Sequence, residues 1–299
     1  MRLMSFLLVA MLLPATARAE DLTVDAASNF LIDATINGQP VRLRVDPETS
    51  GYIILNPATV ERIGLRRSML RSRTQIGPVR LTGSSKVAAV SIGGVTGDRR
   101  LVWIDRPAVD GADGLIGPAD MHYERVTFTL GPARAGEAAF EMPMDFERSF
   151  GLFHAATLGE HAFRFHFSLR KPWSLATAGA GAALATLHGG DWSGEALEQT
   201  IEFGVVRPVR AMTLRRPVEL QGFAIAALRV RTGDNRGNLS LPPEPDADPD
   251  EVVVTGESRQ RAAFVVHVGM DRLSRCSSLV WDNGSRQLTL HCANLAPAP

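Results

Sequence analysis

Period-two alternation runs through long stretches of this chain and helical periodicity is scarce, so the fold has to be built mainly from half-buried strands. Phe30, Ile32, Ala34 and Ile36 alternate with more polar residues, Asn37-Gly38 makes a turn, and Val41, Leu43 and Val45 alternate again. That pattern is a β-hairpin whose second strand runs into Asp46. Phe163, Phe165, Phe167 and Leu169 form one face of another strand, and Arg164, His166, Ser168 and Arg170 form the other, which predicts one buried and one polar side. Val87 to Ile92, Leu101 to Ile104, Val218 to Leu220 and Phe223 to Val230 are further strand candidates. A short helix is expected at Pro57 to Ile63, with Asn56 as cap and Pro57 in the first turn. The expected fold class is therefore all-β, mainly strands with a few short helices.

The first nineteen residues have the form of a secretory signal: Arg2, an apolar centre from Phe6 to Leu13, and the small-x-small run Ala17-Arg18-Ala19. The apolar run is shorter than the roughly 20 residues a spanning helix needs. A mature chain beginning near Glu20, without a membrane span and in the periplasm or secreted, is the expectation. About 280 residues then remain, enough for two domains. Removal of Arg2 and Arg18 leaves 30 basic against 32 acidic residues, a balance that gives no electrostatic footprint for nucleic acid.

The two halves follow one order. Each has a hairpin or phenylalanine-rich strand, a small-residue turn, further strands, and an apolar-apolar-Gly element before a last strand. The expected division is a signal at 1–19, a first half at 20–145, a linker at 146–161, a second half at 162–293 and a tail at 294–299. An insertion at 232–261 lengthens the second half. Its run from Pro242 to Glu251 is proline-rich and acidic and cannot bury a core. Asp250 to Gly256 within it resembles short segments of outer-membrane receptors that engage an inner-membrane energy-coupling protein, so docking through 242–256 is one functional alternative.

Cys276 and Cys292 flank the turn Asp282-Asn283-Gly284-Ser285. In an oxidising compartment the simplest reading is one disulfide across a hairpin, with two buried thiols as the alternative. His154, His161 and His166 fit no metal spacing and are expected at the surface. The glycine pairs lack the strand-loop-helix setting of a nucleotide site, and no Gly-x-Ser-x-Gly elbow is present. No cofactor and no metal is expected.

A strand running into an Asp-Thr/Ser-Gly turn, followed some 70 residues later by apolar-apolar-Gly, resembles the pattern of aspartic peptidases, and especially of exported bacterial proteins with retropepsin-like domains. Here the elements are Val45-Asp46-Pro47-Glu48-Thr49-Ser50 and Gly114-Leu115-Ile116-Gly117. The resemblance covers residues 22–145 well and 160–293 more weakly. It implies a two-lobed β-barrel-like architecture with a peptide-binding cleft, and chemistry by two carboxylates that share a proton. It makes Asp46 the candidate catalytic residue, with Ala176 and Thr177 at the degenerate partner position. Thr49, Ser50, Gly117 and Gly269 become candidate binding positions.

The catalytic pattern is damaged. Pro47 stands at the hydroxyl position and Glu48 at the glycine position, and no Asp or Glu occurs from His161 to Gly190. Each lost proton-transfer role is worth on the order of 10² to 10⁴ in rate. The expected function is peptide or protein-segment binding by an impaired homologue. The alternative is an active endopeptidase that uses Asp46 with Glu48 or through dimerisation; the oligomeric state is left open.

Overall fold

The computed structural model describes residues 21–232, 234 and 263–293. The expected signal at 1–19, nearly all of the 232–261 insertion with its 242–256 segment, and the tail at 294–299 lie outside the described residues.

Asn37 and Gly38 both have positive φ (50° and 77°), the conformation a two-residue hairpin turn requires, and this turn fixes the register of the opening hairpin. The first part of the chain runs β1 (Leu22–Asp25), β2 (Leu31–Ile36), β3 (Gln39–Val45), β4 (Ile53–Leu55), α1 (Pro57–Arg62), β5 (Arg71–Ile76), β6 (Val79–Ile92), β7 (Val95–Trp103) and β8 (Gly114–Ile116). Then come β9 (Arg125–Thr129), β10 (Glu137–Pro143), β11 (Asp145–Glu147), β12 (Gly151–Leu158), β13 (His161–Phe167), β14 (Leu175–Ala176) and α2 (Ala178–His188). The last part is β15 (Gly190–Glu202), β16 (Val205–Leu220), β17 (Phe223–Arg231), β18 (Val265–Val268), α3 (Met270–Leu273), β19 (Cys276–Asp282) and β20 (Gln287–Ala293).

The fold is all-β and two-lobed. One sheet has the order β2-β3-β8-β4-β7-β6-β5, and an additional β2–β6 pairing curls it towards a barrel. The other has the order β11-β12-β13-β18-β14-β17-β16-β15. Apart from β11, the two orders correspond strand for strand. The senses correspond too: β3 and β8 are parallel like β13 and β18, and β8 and β4 are antiparallel like β18 and β14.

A third sheet, β1-β9-β19-β20-β10, joins the halves. In it β9 pairs with β19 and β10 with β20, so the hairpin at 276–293 lies between the halves and outside the eight-stranded sheet of the second. Residues 146–161, expected as a linker, instead form most of β11 and all of β12 and extend that eight-stranded sheet. The alternation of β9, β19 and β20 buries Val126, Phe128, Leu279, Trp281, Leu288 and Leu290 on one face. Each such fully buried large side chain contributes about 1.5–3 kcal/mol. The Cys276–Cys292 disulfide is present across β19 and β20.

Asn56 stands at the N-cap of α1 but makes no side-chain cap bond. Its amide binds the 108–112 loop instead, donating to Val109 O and Ala112 O and accepting from Ala108 N. Leu175 to Leu187 forms β14 and most of α2. Among the described residues no helix is long and apolar enough to cross a membrane.

Candidate functional site

The end of β3 delivers Asp46 to the centre of the molecule. Val45 pairs with Ile116 of β8, and Asp46 N donates to Ile116 O at 3.1 Å. The turn that follows closes on Asp46: Glu48 N donates to its Oδ1 (2.9 Å) and Thr49 N to its carbonyl (3.0 Å). Side-chain capture of this kind is how Asp organises a turn, and it needs no donor from Pro47.

The same geometry in the second half identifies the counterpart of Asp46. Phe167 pairs with Val268, and Ser168 N donates to Val268 O at 2.9 Å. Arg170 N then donates to Ser168 Oγ (3.4 Å), as Glu48 N does to Asp46. The counterpart is therefore Ser168, which corrects the sequence alignment on Ala176 and Thr177. Ala176 pairs with Val266, in the place that Leu55 occupies opposite Gly114. Thr177 caps α2, its Oγ1 accepting from Ala180 N at 3.3 Å. The two turns meet where Ser168 Oγ lies 3.5 Å from Asp46 Oδ2.

Gly117 and Gly269 occupy equivalent crossings. A Cβ on Gly117 would lie 2.6 Å from Thr49 O, and one on Gly269 would lie 2.6 Å from Trp173 C and 2.8 Å from Lys171 O. Only a residue without a side chain lets the turn backbone pass this close. Thr49 is buried, while Ser50 beside it is half-buried.

Both acids of the first turn are met by cations from the second half. Arg170 Nε lies 3.2 Å from Asp46 Oδ2, and Arg170 Nη2 donates to Glu202 Oε1 at 3.2 Å. Lys171 Nζ donates to Glu48 Oε1 at 2.7 Å, and His267 Nδ1 lies 2.9 Å from the same oxygen. Asp46 is 0% exposed and Glu48 is 8% exposed. Removing either partner of such a buried pair strands a charge, so these contacts tie the halves together even where their net stabilisation is small.

Burial pushes the Asp46 carboxyl above its ordinary pKa, and Arg170 draws it partway back. Burial also acts to raise Glu48, but Lys171, His267 and Arg170 together hold it well below the usual carboxylate range. Burial opposes the charge on Arg170, yet Asp46, Glu202 and Glu48 outweigh it and raise its pKa.

The histidines depart from expectation. His154 and His166 are buried. His166 stacks on His267 with ring centroids 5.3 Å apart and packs on Phe153 at 5.8 Å. Burial, reinforced by His267, lowers its pKa from 6.5 to about 3. Just beyond the end of β13, Ser168 and Arg170 meet Asp46 at the joint between the lobes, and His166 on the same side of the chain stacks on His267, which reaches Glu48. Among the described residues no cluster of three or more His, Cys, Asp or Glu could hold a metal ion.

Sequence reasoning did not find Ser168, Arg170, Lys171, Glu202 or His267 as site residues. The available signal was the polar face of the phenylalanine-rich strand. Chemically, the arrangement gives each acid its own cation and sets a hydroxyl opposite Asp46. Among the described residues, no second carboxylate is hydrogen-bonded to Asp46 to share its proton.

No family model matches the sequence, and no curated protein matches it. Among solved structures the chain is similar to the aspartic proteinase from Irpex lacteus, at 10% identity over 90% of this chain and 95% of that one, with a TM-score of 0.42.

Proposed function

We propose that this is an exported, catalytically silent protein of aspartic-peptidase-like design that binds an extended peptide or protein segment between its halves without cleaving it. The observation that carries the reading is the ion pair between Asp46 and Arg170, with Ser168 at the position of a second acid. Both oxygens of the fully buried Asp46 are already engaged, Oδ1 by Glu48 N and Oδ2 by Arg170, and a serine brings no second carboxyl for the other proton-transfer role. Glu48 does not replace the missing acid, because Lys171 and His267 already engage it. Pairing two Asp46 residues through dimerisation would require exposing a fully buried side chain. Export is supported by the signal-like start and by the disulfide.

The test is incubation of the mature chain with a synthetic peptide library between pH 3 and 7, with bound and free peptides read by mass spectrometry. Intact peptides retained by the protein are the expected result. Cleavage abolished by Asp46→Asn would refute the loss of catalysis, and retention of no peptide would refute binding.

A further inference from the structure

The joint between the halves holds a second feature, beyond the ion pairs. Ile76, Leu81, Ile104, Ala108, Val109 and Leu115 of the first half form one buried apolar cluster with Phe203 and Val205 of the second. Phe203 and Val205 belong to the turn of the long β15–β16 hairpin, which reaches across from the edge of the eight-stranded sheet. Apolar side chains of one half thus sit in an apolar recess of the other.

The backbone of this turn is unusual for its sequence. Phe203 has φ 51° and Gly204 φ 67°. The first position of such a turn favours Asn, Asp or Gly, because a side chain at positive φ crowds its own backbone. A phenylalanine there is 8% exposed. Its burial in the recess provides the compensation that the turn itself lacks. The preceding residue is also engaged, since Glu202 Oε1 accepts from Arg170 Nη2, the side chain that pairs with Asp46. The turn therefore presents a carboxylate to Arg170 and an aromatic ring to the recess, in consecutive residues.

We infer that Glu202-Phe203 is a built-in occupant of the binding site, and that the external ligand is a peptide carrying an acidic residue followed by an aromatic one. The inference rests on the peptide-binding reading above and gives it a ligand class. An incoming peptide of this kind competes with the turn for the same recess and the same guanidinium. β16 is laddered to β17 only from Val209 onward, so the tip of the hairpin can bend away while the rest of β16 stays in the sheet. Because the free protein spends most of its time self-occupied, its apparent affinity is reduced by the fraction of molecules in which the turn is withdrawn.

The probe is a fluorescein-labelled synthetic peptide with the sequence of residues 199–206, and a version with alanine in place of its phenylalanine serves as control. Fluorescence polarisation gives its affinity for the wild-type chain and for Phe203→Ala. The expected result is a dissociation constant at least about tenfold lower for Phe203→Ala, with the control peptide weak on both. Equal affinity of the peptide for the two proteins overturns self-occupation and leaves general peptide binding standing. Binding to neither overturns the ligand class, while the library experiment judges the broader reading on its own.

Hydrogen exchange on the wild-type chain decides the matter should Phe203→Ala not fold. Saturating peptide is expected to speed exchange across residues 199–206. Exchange left unchanged there while the peptide is bound overturns the inference.

Discussion

Arg170 Nε lies 3.2 Å from Asp46 Oδ2, so a cation from the second half neutralises the acid delivered by the first. Replacing Arg170 by methionine leaves that buried carboxylate without its ion pair. Arg170→Met is expected to cost about 3–5 kcal/mol, read as a lower urea midpoint. The double variant Asp46→Leu/Arg170→Met should recover most of the loss, because neither charge then remains stranded. A loss below about 1 kcal/mol in the single variant, the range of exposed ion pairs, would show that the pair is no lock.

Acid should loosen the joint through His166. Its pKa in the folded chain, about 3, lies below the ordinary 6.5, so below pH 6.5 the unfolded chain takes up a proton that the folded chain refuses. Stability from this group is full above pH 6.5 and falls as the pH is lowered towards 3, by at most about 5 kcal/mol. Glu48, held below its ordinary value of 4.5, adds a loss in the same direction as the pH falls through its folded pKa. Asp46, raised by burial, acts oppositely: its contribution favours the folded chain in acid and is lost as pH rises through its folded pKa. Melting temperatures at pH 7.5, 6 and 5 should fall in that order, and His166→Phe should flatten the slope.

Gly117→Ala and Gly269→Ala should each destabilise by about 1–3 kcal/mol, through forced movement of the turn backbone. The two values should be similar, because the added methyl would meet backbone at 2.6 Å in both cases. Chemical denaturation of the two variants checks this, and a tolerated alanine at either site would show that the crossing is not tight.

Loss of the Cys276–Cys292 disulfide, which spans 16 residues, should cost about 3 kcal/mol. Because β19 pairs with β9 and β20 with β10, the loss should lower one transition shared by both halves. Calorimetry of Cys276→Ser/Cys292→Ser measures it; a separate early transition confined to the second half would contradict the role of the shared sheet.

Local patterns carried much of the fold. The Asn37-Gly38 hairpin, Asp46 at its end, the phenylalanine face of β13 and the disulfide hairpin all follow from alternation and turn chemistry. The site was less legible for two reasons. Alternation distinguishes the two faces of β13 but not what covers each one, so His166 is expected at the surface. For Ser168 the cover is Asp46, more than 100 residues away, and for His166 it is the rings of Phe153 and His267. Thr177-Ala178-Gly179 imitates the residues that follow a catalytic acid and so draws the expected partner of Asp46 to Ala176. The strand register puts it eight residues earlier, at Ser168, where no such residues follow. The absence of any Asp or Glu from His161 to Gly190 survives the change, so the missing second carboxylate was visible while its address was not.

The central claim is that the acid at the joint no longer cleaves peptides. Its most direct test is mass spectrometry of the peptide library after prolonged incubation with the wild-type chain at pH 3 to 7. The account predicts no cleavage product beyond that formed with Asp46→Asn. Cleavage by the wild-type chain that disappears in Asp46→Asn would contradict it.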